Sequence, residues 1–408
     1  MKILCQYFIT CTLILTYSCN SNSKIDDENL ERFHIPLSSK NEQAVNYFRQ
    51  AEIHKNNNEL IEAREDYTAA LRLDPNLILA LIEINEPNLS LALEYRKRAV
   101  RNISNSNNFE KLYLEYDTLT NNLKNRKIKQ EISKKIINQY PDKVDGYLML
   151  ALSYQAYDEN ESILGLENLK KVIEIDPKNQ VANFQKIRYK YGGDQRSFKL
   201  KNDEKFYSQF DNDAQKLLKE LPNSLRIQTY ISNLYKYSYN FIDQSRFEKA
   251  KQILDKSLKI TNSTGSSLKI SIINQLARLN LQAGKTEEAL SLSRSAIDLS
   301  ADSNQLIGYT FRLFLAFIYN GDYLSAIKEI NNFDMRLEDY GFTEEEILKC
   351  RVGLNNFKAI IYAHSNQEEK SIESFNLYKE FSNKLINFYG LKSNIHEQLR
   401  SFPGAGYV

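Results

Sequence analysis

The residues best suited to chemistry in this sequence are few, and the clearest is a cysteine at the end of an apolar run. Cys19 follows the stretch from Ile3 to Tyr17, which is mostly apolar and uncharged. The run has about 15 residues, fewer than the roughly 20 that a membrane-spanning helix needs. It therefore suits the apolar region of a secretory signal, which predicts cleavage after Ser18 and a new N-terminus at Cys19.

Apart from Cys19, the residues that could support catalysis or bind a metal are scattered along the chain. The four histidines are His34, His54, His364 and His396. None of them has a cysteine or carboxylate at the spacing of a metal site. The acidic run from Asp158 to Glu161 lacks the twelve-residue loop of a calcium site, so a solvated turn is favoured there. The sequence therefore predicts no catalytic residue, no metal site, no cofactor and no enzymatic activity.

Composition narrows the class of protein. Of 408 residues, 42% are hydrophobic and 26% are charged, which is ordinary for a globular chain. The net charge of +2 gives no reason to expect a nucleic-acid partner. The low numbers of glycine and proline, 13 and 7, favour helices over a fold with many tight turns. Cys5 and Cys11 lie in the leader and are removed with it. If Cys19 is acylated, Cys350 has no disulfide partner, and core burial must stabilise the domain.

An internal repeat is the strongest signal in the sequence. Between Ala44 and Asn76, apolar or small residues recur three and four positions apart in two groups, as they do on one face of a helix. The groups are Tyr47, Phe48, Ala51 and His54, and then Ala63, Tyr67, Ala70 and Leu71. A polar stretch separates them, and Asp74-Pro75 ends the second group. The pattern predicts two helices joined by a turn.

This segment resembles the tetratricopeptide repeat, a helix pair of 34 residues. Tyr47 stands where the family has a tryptophan, and His54 stands at its second aromatic position. The predicted packing positions are Tyr47, Ala51, Ala63, Tyr67, Ala70 and Pro75. The small residues among them let the two helices approach closely. The resemblance implies an all-α fold, a right-handed α-solenoid of stacked helix pairs whose first helices line a concave groove.

Similar patterns recur along the chain. The clearest repeats are predicted at residues 44–77, 144–177, 270–303 and 307–340. Residues 81–122 do not keep the pattern, and they are either a degenerate helix pair or an insertion. The predicted domains are a signal peptide at 1–18, a flexible tether at 19–39, a solenoid at 40–400 and a flexible tail at 401–408.

One side of the first helix is the predicted groove side of the first repeat. The residues there are Val45, Phe48, Glu52 and Lys55, spaced by three and four positions. Phe48 has two open interpretations, contact with a partner or packing on a neighbouring first helix. Cytosolic proteins of the family that this chain resembles grip C-terminal carboxylates with lysine and asparagine on this face. Apolar and acidic residues do not make such a clamp.

Two stretches, 95–135 and 186–201, are rich in lysine and arginine. One interpretation is a surface for an anionic partner, such as an acidic peptide or a lipid headgroup. The other is a set of solvated helix faces on a nearly neutral protein. The second interpretation is favoured, because the net charge of the whole chain is only +2.

The segment from Leu15 to Cys19 resembles the lipobox of bacterial lipoproteins, with the small Ser18 directly before the cysteine. Residues 24–28, which read KIDDE, resemble the surface-export tag of Bacteroidetes lipoproteins. These resemblances imply a lipid on Cys19 and a place in the bacterial cell envelope, at the outer membrane. Ordinary secretion with cleavage at the same bond is one alternative, and an uncleaved membrane anchor is the other.

Two functions follow from these resemblances. The first is a non-enzymatic, membrane-anchored scaffold that binds a protein or peptide partner. The alternative is a glycan-binding outer-membrane lipoprotein of the starch-utilisation type, since such binders also carry these repeats. They usually stack sugars on aromatic faces, often those of tryptophan, and this chain has no tryptophan. The scaffold is therefore favoured.

Overall fold

The computed structural model describes residues 32–388 except 87–88, 120–122, 156–157, 239–243, 265 and 301–302. Within these residues the chain forms nineteen α-helices, one short 3-10 helix and no strand. The predicted all-α fold is therefore confirmed. The predicted signal peptide at 1–18, Cys19 and the predicted tail at 401–408 lie outside the described residues.

The helices follow one another along the chain with short connections. They are α1 (Glu42–Asn56), α2 (Leu60–Leu73), α3 (Ile78–Glu83), α4 (Leu89–Asn102), α5 (Asn108–Thr118), α6 (Leu123–Gln139), α7 (Val144–Ser153), α8 (Glu159–Ile175), α9 (Gln180–Tyr191), α10 (Asp194–Asn202), α11 (Glu204–Glu220), α12 (Leu225–Ser238), α13 (Gln244–Thr264), α14 (Leu268–Gln282), α15 (Thr286–Asp298), α16 (Ser303–Tyr319), α17 (Tyr323–Met335), α18 (Glu344–His364) and α19 (Glu368–Phe388). Most helices pack on the helix before and the helix after them.

The chain divides into two compact units. Unit 1 comprises residues 1–196 and 219–221, and its described part contains α1 to α9. Two apolar clusters fill it. The larger one is built from α1 to α7 and includes Phe48, Tyr67 and Ile132. The smaller one joins α7, α8 and α9 through residues such as Leu169 and Tyr189.

Unit 2 comprises residues 197–218 and 222–408, and its described part contains α11 to α19. The helices pair as α12 with α13, α14 with α15, α16 with α17 and α18 with α19. The first helices α14, α16 and α18 also contact one another in sequence, as stacking of helix pairs requires. Four phenylalanines form its aromatic centre, with ring centroids 5.5 to 6.5 Å apart: Phe311, Phe314, Phe333 and Phe357.

The turn inside a helix pair is set by one residue in the left-handed backbone region. The residues are Asn58, Gly284, Gly321 and Asn366, with φ of 68°, 73°, 73° and 55°. Glycine adopts this conformation without strain, and asparagine tolerates it better than most residues. The same turn therefore connects α1 to α2, α14 to α15, α16 to α17 and α18 to α19.

The first helix pair shows how residue size sets helix spacing. Ala51, Ala63 and Ala70 are at most 3% exposed, and the rings of Phe48 and Tyr67 lie 5.8 Å apart beside them. The side chain of Asn41 accepts a hydrogen bond from the amide of Ala44, which caps α1. Because alanine adds little volume, the two helices can contact closely while the larger rings fill the space at their edges.

The other ranges predicted as repeats also contain helix pairs. Residues 144–177 hold α7 and α8, residues 270–303 hold most of α14 and all of α15, and residues 307–340 hold most of α16 and all of α17. The region 81–122 contains the end of the short α3, then α4, the 3-10 helix Ile103–Asn105 and α5. The direct contact of α3 with α5 as well as α4 makes this region less regular than the pairs around it.

The segment 32–39, the end of the predicted tether, is packed along unit 1. Ile35 is 1% exposed in the larger cluster, and Phe33 packs on the smaller one. His34 Nδ1 lies 2.8 Å from Asp145 Oδ1, and the amide of Ile35 donates to Asp145 Oδ2 over 2.8 Å. Arg49 donates to the carbonyl of Ile35. Because these contacts hold segment 32–39 on unit 1, a flexible tether does not describe these residues.

We expect Ala70→Leu to lower the free energy of unfolding by about 1–3 kcal/mol, because the added carbons have no space between α1 and α2. The neighbouring Ala69→Leu is the matched control, since Ala69 is only half-buried. Urea denaturation of both variants measures the difference. Equal stability of the two variants would show that Ala70 is not at the helix contact.

We expect Asp145→Asn to cost about 1–3 kcal/mol at neutral pH, because it removes the charge that holds segment 32–39. Burial opposes ionisation of Asp145, but His34, Arg49 and the amide of Ile35 outweigh it and lower its pKa. The stabilisation is therefore present above the ordinary aspartate pKa and is lost as the pH falls through the lowered value. Denaturation at pH 7 and at a series of lower pH values should show a difference from wild type that shrinks as the pH falls below the ordinary aspartate pKa.

Candidate functional site

The residues predicted to face a groove in the first repeat differ in their surroundings. Phe48 is 2% exposed and packs on Tyr67, so it is a core residue and a partner cannot contact its ring. This corrects its placement on a groove surface, because the adjacent helix α2 covers it. Val45 is half-buried. Glu52 and Lys55 are also half-buried, and they take part in a polar network.

That network joins α1, α2, α3 and α5 across the face of unit 1. Lys55 Nζ lies 3.4 Å from Glu52 Oε1 and also contacts Glu83. Tyr67 donates its hydroxyl to Glu52, and Tyr113 donates its hydroxyl to Glu83. Burial lowers the pKa of Lys55, but Glu52 and Glu83 outweigh burial and the pKa is raised.

The tyrosine hydroxyls of the network stay protonated at physiological pH. Burial and the nearby carboxylates raise the pKa values of Tyr67 and Tyr113 well above their ordinary value. Each hydroxyl therefore remains a donor to its glutamate, and the ammonium of Lys55 lies between the two carboxylates. The predicted groove residues Glu52 and Lys55 thus tie four helices of unit 1 together.

Five of the six predicted packing residues are buried or half-buried, and the sixth, Pro75, is exposed. Ala51, Ala63, Tyr67 and Ala70 are buried, and Tyr47 is half-buried against the larger cluster. Pro75 is exposed in the turn that follows α2. Its role is to end the helix, since Asp74 before it is extended with φ of −133°.

The three described histidines have separate structural partners. His54 lies 2.9 Å from Glu59 and 3.7 Å from Asp66, and the hydrogen bond to Glu59 is the main cause of its raised pKa. His34 holds Asp145, and His364 stacks on Tyr323. Across the described residues, no group of three histidine, cysteine or acidic side chains could hold a metal ion. His396 is outside them.

Unit 2 presents a polar surface on its successive first helices. We define the first-helix face as Asn233 and Lys236 of α12, Gln275 and Arg278 of α14, and Arg312 of α16. The amides of Asn233 and Gln275 are 3.4 Å apart, and Gln282 donates to the carbonyl of Lys236 over 3.3 Å. These bonds join α12 to α14, and α14 contacts α16 directly.

The first-helix face concentrates positive charge. Lys236 is 6% exposed, donates to Asn233 Oδ1 over 3.1 Å and lies 4.8 Å from the ring centroid of Tyr237. Burial is the main cause that lowers its pKa to about 8, and the cations Arg278 and Arg312 lower it further. Like charges on three neighbouring helices repel one another. An anion at this face would relieve that repulsion.

Sequence reasoning did not find Lys236, Arg278 and Arg312. They lie 42 and 34 residues apart, which is close to the length of a helix-pair repeat. That spacing was the available signal. It carried little weight because lysine and arginine also occupy most solvated faces, and only the observed helix contacts show which cations meet.

Residues 41–77 match the model of the tetratricopeptide repeat family. The matched residues are α1, α2 and the turns on either side, so sequence and structure agree on this helix pair. This match agrees with the prediction that the chain is a scaffold for protein interaction. No curated protein matches the chain.

Solved structures with similar helical repeats are found at low sequence identity. One is the structure of nearly identical TPR-like repeats of a kinesin light chain from Podosopora anserina, with 15% identity, a TM-score of 0.34 and coverage of 60% of this chain and 97% of that one. Another is a tetratricopeptide repeat protein from Parabacteroides merdae, with 13% identity, a TM-score of 0.33 and coverage of 76% and 98%.

We expect Lys236→Met to raise the free energy of unfolding at pH 7 by about 1–3 kcal/mol, because the buried ammonium lies beside two other cations. The charge penalty is fully present below the folded pKa of about 8 and falls away as the pH rises towards 10.5. Urea denaturation at pH 7 and pH 10 should therefore show a gain that shrinks. Lys259→Met, at an exposed position of α13, is the control.

A loss of stability in Lys236→Met at pH 7 would contradict this electrostatic account. It would mean that the hydrogen bond to Asn233 and the contact with Tyr237 outweigh the repulsion from Arg278 and Arg312.

Proposed function

We propose that this chain is a non-enzymatic, lipid-anchored scaffold that binds an acidic segment of a protein partner on the first-helix face of unit 2. The single observation that carries the proposal is the group of Lys236, Arg278 and Arg312 on three successive first helices. The cations Arg278 and Arg312 both lower the pKa of Lys236, so the three side chains lie close enough to interact. Carboxylates of the partner would interact favourably with all three.

The chemistry of this face suits an extended acidic segment. Arginine presents several donors in a planar fork and pairs well with carboxylates. Arg278 and Arg312 are half-buried, so they keep accessible surface while lying in a region of reduced solvent screening. Asn233 and Gln275 add amide groups that can bind the partner's main chain. Continuous area from several helix pairs supports binding of an extended segment.

Anchoring is the second part of the proposal. Cys19, after cleavage following Ser18, carries a lipid that holds the protein at the outer membrane of the bacterial envelope. The support is the sequence pattern around Cys19 and the short apolar run before it. Among the described residues, no helix is long and apolar enough to cross a membrane.

Partner capture tests the binding site. Cross-linked pull-down from the native envelope should recover a partner with wild type, and Arg278→Gln with Arg312→Gln should reduce the yield at least tenfold. The control carries Lys256→Gln and Lys259→Gln on exposed positions of α13, which removes the same charge from another surface. Elution by a poly-glutamate peptide tests for an acidic segment. Equal yields from both double variants would reject this site.

Replacing Cys19 tests the anchor separately. We expect Cys19→Ser to move the protein from the membrane fraction to the soluble fraction and to abolish incorporation of labelled fatty acid, because the thiol that accepts the lipid is gone. The helical content by circular dichroism should stay unchanged, since Cys19 precedes α1 in the sequence. Continued labelling and membrane retention would reject lipidation at this residue.

A further inference from the structure

Segment 32–39 runs over unit 1 with one side facing the protein. From Ile35 to Lys40, buried or half-buried residues alternate with exposed ones, which is the pattern of an extended segment on a surface. The side chains at 33, 35 and 37 are apolar. Phe33 packs on the smaller apolar cluster, Ile35 is part of the larger cluster, and Leu37 packs on the larger cluster.

Ile35 is held through both of its main-chain polar groups. Its amide donates to Asp145 Oδ2 of α7 over 2.8 Å, and its carbonyl accepts from Arg49 Nη2 of α1 over 3.1 Å. Asp145 Oδ1 lies 2.8 Å from His34 Nδ1, so both oxygens of this carboxylate contact the segment. Bonds to an amide and a carbonyl give affinity for an extended chain, and the apolar contacts select its side chains.

The N-terminal cap of α5 binds the next part of the main chain. Asn107 and Glu110 form a capping box, in which the side chain of each accepts a hydrogen bond from the amide of the other. The second polar group of each side chain binds the segment. Asn107 Nδ2 donates to the carbonyl of Pro36 over 2.8 Å, and Glu110 Oε1 accepts from the amide of Ser38 over 3.1 Å. The capping box therefore fixes these two groups by bonds that do not involve the segment.

The helices under the segment also contact one another directly. In this part of unit 1, α1 packs on α2, α5 packs on α6, and α6 packs on α7. Ile35 of the segment is fully buried at 1% exposed, whereas Phe33 and Leu37 are half-buried. Segments with few buried apolar side chains open at a lower free energy than the core helices. Release of the segment therefore costs less than unfolding of a helix pair.

We propose that unit 1 contains a peptide-binding site that its own segment 32–39 occupies, and that a partner segment with apolar residues at three alternating positions binds there when segment 32–39 is released. The occupant seen in the structure defines the chemistry of that partner. Segment 32–39 acts as an intramolecular competitor, whose effective concentration, roughly millimolar for a short connection, excludes weaker ligands.

This inference goes beyond the proposed function. The site in unit 1 selects apolar side chains and a main chain, whereas the first-helix face of unit 2 is proposed to select carboxylates. The two sites lie on different helices, so variants can change one site and leave the other unchanged.

Binding of a peptide in trans tests the site, with fluorescein-labelled RFHIPLSSK, the sequence of residues 32–40, as the probe. In the full chain, Ile35→Asn places an amide in the apolar cluster and should release the segment. Fluorescence anisotropy should show at least tenfold tighter peptide binding to this variant than to wild type, because the intramolecular competitor is weakened. Ser38→Asn is the matched control, since Ser38 is exposed in the same segment, and it should bind like wild type.

Photo-cross-linking shows where the peptide binds. A benzophenone at the peptide position of Phe33 should label α7, α8 or α9, which form the smaller cluster. A benzophenone at the position of Leu37 should label helices of the larger cluster. A peptide with asparagine at the position of Ile35 should bind at least tenfold more weakly, because it lacks the side chain that is fully buried in the structure.

Circular dichroism shows that each variant is folded before binding is measured, and Phe33→Asn, at a half-buried position, replaces Ile35→Asn if that variant unfolds. Tighter binding with cross-links in both clusters supports the proposal. Equal binding by wild type and the folded variant, no binding by the folded variant, or cross-links in unit 2 overturn it. A wild-type dimer that the peptide converts to monomers also overturns it, because the occupant is then the segment of a second copy.

A further variant separates this proposal from the proposed function. Arg278→Gln with Arg312→Gln, added to Ile35→Asn, should leave peptide binding unchanged, because both arginines belong to unit 2. Loss of partner capture without loss of peptide binding would then concern the first-helix face alone. Loss of peptide binding in this combined variant would overturn the assignment of the site to unit 1.

Discussion

Close contact between two helices that share small residues is the constraint on which the structure depends. Neither α1 nor α2 can bury its apolar side alone, and Ala51, Ala63 and Ala70 set how near the two can come. The left-handed residue in the turn, Asn58 here, directs the second helix back along the first. Once this pair forms, its remaining apolar surface must be covered by the next pair, which extends the stack.

The same constraint explains what the sequence could predict. Small and aromatic residues at helical spacing identify a helix pair because packing permits few alternatives at those positions, and the turn residues mark where it reverses. Segment 32–39 was missed because it is held by contacts with residues far along the chain, such as the bond between His34 and Asp145. Contacts of that kind leave no periodic pattern in a sequence.

The proposed binding surface was harder to predict from the sequence for a related reason. Lysine and arginine are abundant on solvated helices, so their presence alone says little about function. Phe48 shows the same difficulty from the other side, since the sequence left partner contact and packing open and the structure buries its ring against Tyr67 of α2. What distinguishes Lys236 is burial beside other cations, which depends on which helices meet. Helix stacking therefore determines the sites as well as the fold.

Stacking also explains why such sites can persist although they reduce stability. A helix-pair protein distributes its free energy of unfolding over many similar contacts, so a local repulsion among Lys236, Arg278 and Arg312 is offset by apolar packing elsewhere in unit 2. The polar network of Glu52, Lys55 and Glu83 has the opposite character, because its ammonium lies between two carboxylates that also accept tyrosine hydroxyls. Opposite charges in contact join helices of unit 1 and make that network structural. Like charges on neighbouring helices mark Lys236, Arg278 and Arg312 as the surface where we propose that a partner binds.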